Sequence, residues 1–287
     1  MCYSLVRENK IFKASNYKFL LPLVLAVLIG IIVSFAVQGF ISLVNLVESY
    51  LRGDEHLLLG LPKEFLVISG PIIAGIIVSI IFKLANLDRW HGPADSILAA
   101  HLPSHRPNTE AGLLSTLASA ISISGGASVG QYGPLVHFGG VIGDYFSKLT
   151  RDQTSPHILL ACGVAAAVSS GFGAPSAGLV FAHEVIVGHF AMSAFTPIVI
   201  ASVVGTIVSR IYFGDVPAFG IAEQSLASFW EFPAVAGLGI SGGIVAIIFM
   251  RTAMKTEDLM NKVPGPQWIN PAIGGFLIGL IALIFPH

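Results

Sequence analysis

The sequence predicts an all-α, polytopic membrane bundle with broken and re-entrant helices, and three observations predict it. Hydrophobic residues fill 54% of the 287 positions and charged residues only 11%, where a soluble domain carries about 25% charged residues. Mean hydropathy is +0.80. Apolar residues gather into about eight segments, several long enough to span a bilayer and others cut short by Gly and Pro. The net charge of −1 shows no acidic or basic bias, so nucleic acid is not an expected partner. Two cysteines, Cys2 and Cys162, are too few for a disulfide framework or a Cys-rich metal site.

Taken in order, the chain opens on a basic head, residues 1–18, with Arg7, Lys10, Lys13 and Lys18. Residues 19–47 are almost wholly apolar, too long for a signal-peptide core, and predict a first, tilted span. A polar loop with Arg52, Asp54, Glu55, Lys63 and Glu64 follows, then a second span over Phe65–Phe82. Lys83, Asp88, Arg89 and Arg106 mark the next aqueous region. The positive-inside rule places it and the basic head in the cytoplasm, which two intervening spans allow. The next apolar segments, 110–125, 133–149, 157–170 and 174–190, are short and punctuated by Gly125-Gly126, Gly133-Pro134, Gly171, Gly173 and Pro175. Irregular backbone at membrane depth persists only where protein buries it or water lines it, so an internal site is expected here. Spans over Phe195–Phe213, Phe232–Met250 and Ile269–Phe285 complete the pattern, with a loop over Gly214–Phe229. Small-xxx-small pairs, Gly126/Gly130, Gly139/Gly143 and Gly275/Gly279, predict close helix packing.

The stretch Ser124-Gly-Gly-Ala-Ser-Val-Gly-Gln-Tyr-Gly-Pro134 delivers a Gly-rich turn to a helix start, with Pro134 in the first turn and the helix running from Leu135. Free amides and the helix dipole there make an anion site that needs no buried Lys or Arg. A kinked helix with packing glycines accounts for the same residues equally well. Trp90-His-Gly-Pro-Ala-Asp-Ser-Ile97 has the same design, with Asp95 or Ser96 as a cap for a short helix; an ordinary capped loop is the plainer reading of that stretch alone. Ala165–Glu184 contains a third helix, Gly break and Pro-started helix.

Here the sequence resembles a family. Phe172-Gly-Ala-Pro-Ser-Ala-Gly-Leu-Val-Phe181 with Glu184 is similar to the Phe-Asn-Ala-Pro-x-Ala-Gly-x-x-Phe…Glu segment of CLC chloride channels and chloride/proton antiporters. Gly130-Gln-Tyr-Gly-Pro134 stands where that family has Gly-(Lys/Arg)-Glu-Gly-Pro, and His91-Gly92 where it has the Ser-Gly of Gly-Ser-Gly-Ile-Pro. The resemblance runs from about residue 20 to the end. It implies inverted helical repeats, half-helix N-termini converging on chloride, and a homodimer with one anion pathway per subunit. Residues 19–213 would be the first repeat, 214–230 a loop, and 231–287 the first two helices of the second. The family's later Gly-x-Phe-x-Pro motif and pore tyrosine have no counterpart in this sequence, so a piece of a longer protein or a truncated product is expected. Residues 174–213 would contribute to the dimer interface.

The resemblance assigns anion binding to His91, Gly92, Pro93, Gly130, Gln131, Gly133 and Pro134. Tyr132 occupies the position of the family's gating glutamate and is the candidate gate. A phenol, with an ordinary pKa near 10, donates a hydrogen bond or plugs by bulk but does not carry protons readily at neutral pH. Val185, after Glu184, stands where antiporters have a second proton-accepting glutamate. The expectation is passive, channel-like movement of chloride or a similar small anion, without proton coupling and without a cofactor. The expected setting is the plasma (inner) membrane, with a cytoplasmic N-terminus and lipid as surroundings. A histidine at position 91 would favour anion binding at low pH if it faces the ion; a histidine capping the loop is an equal alternative. A carrier for another solute, or a non-conducting protein of this fold, are the rival functions.

An enzyme is not expected. His183-Glu184 opens like a zinc-binding His-Glu-x-x-His, but Val187 fills the second histidine position and His189 falls off the shared face. His101 and His105 are separated by Pro103. No metal site is therefore expected.

Overall fold

Long apolar runs with few breakers form long helices, and Gly-Pro punctuation produces short ones. The computed structural model describes residues 2–52, 63–87, 89–127, 129–188, 192–214, 228–262 and 265–284. Asp54, Glu55 and residues 215–227 of the expected loops lie outside these, as do Asp88, Ser128, His189 and Phe285. The described residues contain helices and no strand. They are α1 (Cys2–Arg52), α2 (Lys63–Leu84), α3 (Pro93–His101), α4 (Thr109–Ser124) and α5 (Tyr132–Leu149). Then follow α6 (Pro156–Phe172), α7 (Pro175–Phe181), α8 (Met192–Phe213), α9 (Glu231–Asn261) and α10 (Asn270–Ile284).

The first helix reaches back through residues 2–18, so no break separates the basic head from the apolar run. Its apolar portion, Leu20–Ser49, is long enough to cross a membrane, as are Met192–Phe213 and Glu231–Met260. Helices over Ile68–Leu84, Pro156–Phe172, Pro175–Val187 and Asn270–Ile284 are shorter apolar segments.

The chain divides into two compact units, Met1–Ala218 with Pro271–His287, and Phe219–Asn270. The second contributes α9, one helix whose apolar stretch gives way to Arg251, Lys255, Glu257 and Asp258 before it ends.

At the centre of the first unit is α6, buried at every residue from Leu159 to Ser170. Its Ala- and Gly-rich composition admits neighbours at close range. Gly163 meets Gly139 and Gly143 of α5 backbone to backbone. Gly205 of α8 lies against Ala166, whose carbonyl oxygen is 3.2 Å from where a Cβ would stand. Buried and half-buried polar side chains join the helices. Gln38 of α1 donates to the Ser170 carbonyl at 2.9 Å and to Ser209 Oγ at 2.7 Å. Ser34 Oγ donates to the Gly205 carbonyl at 2.8 Å. Each such bond contributes about 0.6 kcal/mol in a membrane bundle.

Where α6 ends, Gly173 adopts φ 66°, a left-handed conformation that suits glycine, and its N–H caps the Ser169 carbonyl. Pro175 then starts α7, and directly after it the chain widens into π geometry over Ala182–Val187. At the far end of α5, buried Asp144 is held by Arg106 and Lys148, each at 2.8 Å, and Arg106 also reaches Asp152. Pairing is the condition for keeping such a carboxylate out of water.

Candidate functional site

A helix start buried in apolar surroundings needs partners for its amides. Two helix starts of the first unit and the middle of α4 meet around one cavity of about 260 Å³. Its walls come from the turn before α3 (His91, Gly92, Pro93), from the turn into α5 (Val129, Gly130, Pro134), from His137 on α5, and from Ser115, Thr116 and Ser119 on α4.

The short helix α3 begins at Pro93, and its cap is Gly92 rather than Asp95 or Ser96, which the sequence suggested. Asp95 is the third helical residue and reaches back, its Oδ2 accepting the Gly92 amide at 2.8 Å. Proline at the first position fixes this geometry, because it has no N–H to satisfy. The carboxylate is also paired with Arg89. The Gly92 amide, expected to face an anion, is thus already engaged by a carboxylate. The His91 amide donates to Ser115 Oγ at 3.1 Å, which ties the turn to α4.

Burial by itself would raise the Asp95 carboxyl. Hydrogen bonds from Arg89 and Gly92, with the charges of Arg89 and His91, outweigh it and hold the group below the ordinary carboxylate range. A depressed folded value means the contribution to stability is present at neutral pH and lost as pH falls from about 4 through that value. Asp95→Asn should therefore lower the unfolding midpoint at pH 7, by a margin that shrinks as pH falls below about 4. Thermal unfolding in detergent across that range checks this.

Helix α5 starts at Tyr132, three residues before the expected Leu135, with Gln131 at its cap. Gly130 enters with φ 74°, a left-handed turn that lets the chain reverse into the helix. A Cβ on Gly133 would lie 3.6 Å from Pro93 Cγ, so the two Gly-Pro starts are immediate neighbours. Among the described residues the amides of Tyr132 and Gly133 have no backbone acceptor, whereas Leu135 donates to the Gln131 carbonyl at 3.4 Å.

The cavity thus unites His91, Gly92, Pro93, Gly130 and Pro134 of the expected site. Gln131, Tyr132 and Gly133 are not on its wall. The Tyr132 ring stacks on Phe172 at the end of α6, centroids 3.8 Å apart, and lies 3.1 Å from where Gly171 would carry a Cβ. His91 and His137 stack with centroids 6.3 Å apart. Sequence reading missed His137, Ser96 and the α4 hydroxyls. Two signals were available: an ionisable residue inside an apolar helix, and hydroxyls at positions 115, 116 and 119 on one helical face.

A family model described as voltage gated chloride channel matches residues 74–287. A voltage-gated ClC-type chloride channel, ClcB, of Citrobacter koseri is 26% identical over 92% of this chain and 65% of its own. Chloride channel protein CLC-e of Arabidopsis thaliana is 31% identical over 77% of this chain and 32% of its own. The crystal structure of a slow cyanobacterial Cl⁻/H⁺ antiporter superposes with a TM-score of 0.77 at 24% identity, over 93% of this chain and 64% of that one. The fold and its interrupted helix starts define a membrane helical bundle of the CLC type. The chain belongs to the voltage-gated chloride channel family. It spans less than two thirds of the length of each of these relatives.

Proposed function

We propose that this chain takes part in passive transmembrane movement of chloride or a similar small anion, uncoupled from protons. The carrying observation is the cavity lined by His91, Gly92, Pro93, Gly130 and Pro134, beside which the start of α5 leaves the Tyr132 and Gly133 amides without a backbone acceptor among the described residues. Amides at a helix start attract an anion without a buried cation. The relatives' names point to the same cargo: two are chloride channels and one a chloride/proton antiporter.

The absence of coupling rests on side-chain chemistry. Tyr132 supplies a phenol at the helix start where the resemblance expects a carboxylate, and Val185 packs half-buried against the core beside exposed Glu184. Neither shuttles protons near neutral pH. Residues 19–213 then act as a first repeat and 231–287 as the opening of a second, with 174–213 facing a second copy in the inner membrane.

Liposomes carrying the purified protein and a chloride gradient test this. Chloride should escape with no accompanying proton movement. Chloride-driven proton uptake would refute uncoupled transport. Exchange of another solute alone would favour a carrier, and silence a non-conducting protein.

A further inference from the structure

His137 is almost fully buried, 1% exposed, on the wall of the cavity. Its Nδ1 lies 3.0 Å from Ser96 Oγ on α3. Its Nε2 has no hydrogen-bond partner among the described residues. A buried polar atom of this kind costs free energy unless something fills the vacant valence.

The position of the ring proton follows from its neighbour. The Ser96 hydroxyl is itself buried and has Nδ1 as its partner. If Nδ1 carried the proton, the serine hydrogen would have no acceptor and Nε2 would present an idle lone pair. With Ser96 donating to Nδ1, the serine is satisfied and the proton sits on Nε2. In a doubly protonated ring Nε2 carries a proton as well. Either way the histidine has an N–H that lacks an acceptor.

No neighbouring hydroxyl among the described residues accepts from Nε2. Thr116 Oγ1 donates to the Gly112 carbonyl at 2.9 Å and Ser119 Oγ to the Ser115 carbonyl at 2.8 Å. Nε2 stands beside Gly112 of α4, 3.3 Å from where a Cβ would be, so glycine is what allows the ring this approach. The nearby ions are Asp95 and Arg89, which pair with each other; the His91 ring lies parallel at 6.3 Å.

We propose that the Nε2–H of His137 is a side-chain ligand for the anion held in this cavity, and that Ser96 is a positioning residue that fixes the imidazole tautomer presenting it. The inference rests on the anion reading of the cavity and adds a directed donor from the second turn of α5. This donor lies outside the Gly-Pro turns. Together with the α5 amides, a neutral imidazole would hold a small anion without placing a formal cation at membrane depth.

The test uses the whole chain in detergent, with chloride as the probe and gluconate to keep ionic strength constant. Calorimetry gives the chloride affinity, and ¹⁵N-histidine spectra follow the His137 ring. In the unsubstituted protein, the protonated Nε2 resonance should shift saturably with the calorimetric Kd. His137→Leu should weaken chloride binding by about tenfold or more. His137→Gln, which keeps an N–H donor, should restore most of it, and Ser96→Ala should weaken binding while mixing the tautomers. Chloride binding with an unmoved His137 resonance, or with wild-type affinity in His137→Leu, would overturn the ligand role and leave the anion cavity standing. No saturable chloride binding to the unsubstituted protein would overturn the anion reading and this inference with it.

Discussion

Gly163→Val should abolish the native docking of α5 on α6, the largest stability effect expected in the chain. A Cβ at Gly163 runs into the Gly139 carbonyl, with the Gly139 carbonyl carbon at 2.7 Å and the Gly143 amide nitrogen at 3.2 Å. The reverse contacts are as tight: Gly139 meets Gly163, and Gly143 meets Leu159 and Leu160, all through backbone atoms. A flexible side chain could swing away, but a helix backbone moves only as a whole. Overpacking usually costs about 1–3 kcal/mol, and a branched side chain between two backbones belongs at or above the top of that range. The consequence reaches the cavity, because this contact sets where the α5 start lies relative to the end of α6. Size-exclusion profiles and thermal midpoints in detergent should show loss of the monodisperse species. Gly39→Ala is the control, since nothing lies within 4 Å of its Cβ position and alanine favours the helix. A Gly163→Val protein as stable as this control would show that the α5–α6 contact is not a principal support of the fold.

That contact also shows what the residues disclose. Gly139/Gly143 announced a close helix approach in one strand of sequence, but Gly163, the partner, stands in no such pair with them. The breaks at Gly92-Pro93, Gly133-Pro134 and Gly173-Ala174-Pro175 were legible because Gly and Pro act locally, through φ and a missing N–H. The cap of α3 was misplaced by local reasoning as well. Asp95 resembles a cap in sequence, yet Pro93 starts the helix earlier and turns Asp95 into the residue that reaches back. The pair Ser96–His137 was out of reach for a different reason. The two residues are 41 positions apart, on helices apolar on several faces, so periodicity does not say which side faces a cavity. The wide turn over Ala182–Val187 left no trace in composition. The family motifs brought Gly92-Pro93 and Pro134 into the candidate site, but they also nominated Gln131, Tyr132 and Gly133, which the fold sets off its wall.

Tyr132→Ala should raise chloride flux about tenfold, if the ring closes the route beyond the cavity. The ring bridges the start of α5 and the end of α6, stacked on Phe172 with 3.8 Å between centroids and planes 21° apart. An aromatic pair contributes about 0.5–1.5 kcal/mol beyond its buried area, and 1.4 kcal/mol corresponds to a tenfold change in an equilibrium. A plug held by that stack is thus open for a minor fraction of the time, and removing it raises conduction by about the same factor. Tyr132→Phe separates bulk from chemistry: it retains the stack and loses the hydroxyl, so flux close to the parent value identifies a steric plug, whereas a marked fall identifies the hydroxyl as an anion ligand. Gly171→Ala presses on the same ring from α6, where 3.1 Å separates the new carbon from Tyr132 Cε1, and should shift flux without touching the phenol. Efflux of chloride from liposomes reads all three. Equal flux from the parent and Tyr132→Ala proteins would reduce Tyr132 to a packing residue and leave the gate to be sought elsewhere on the route.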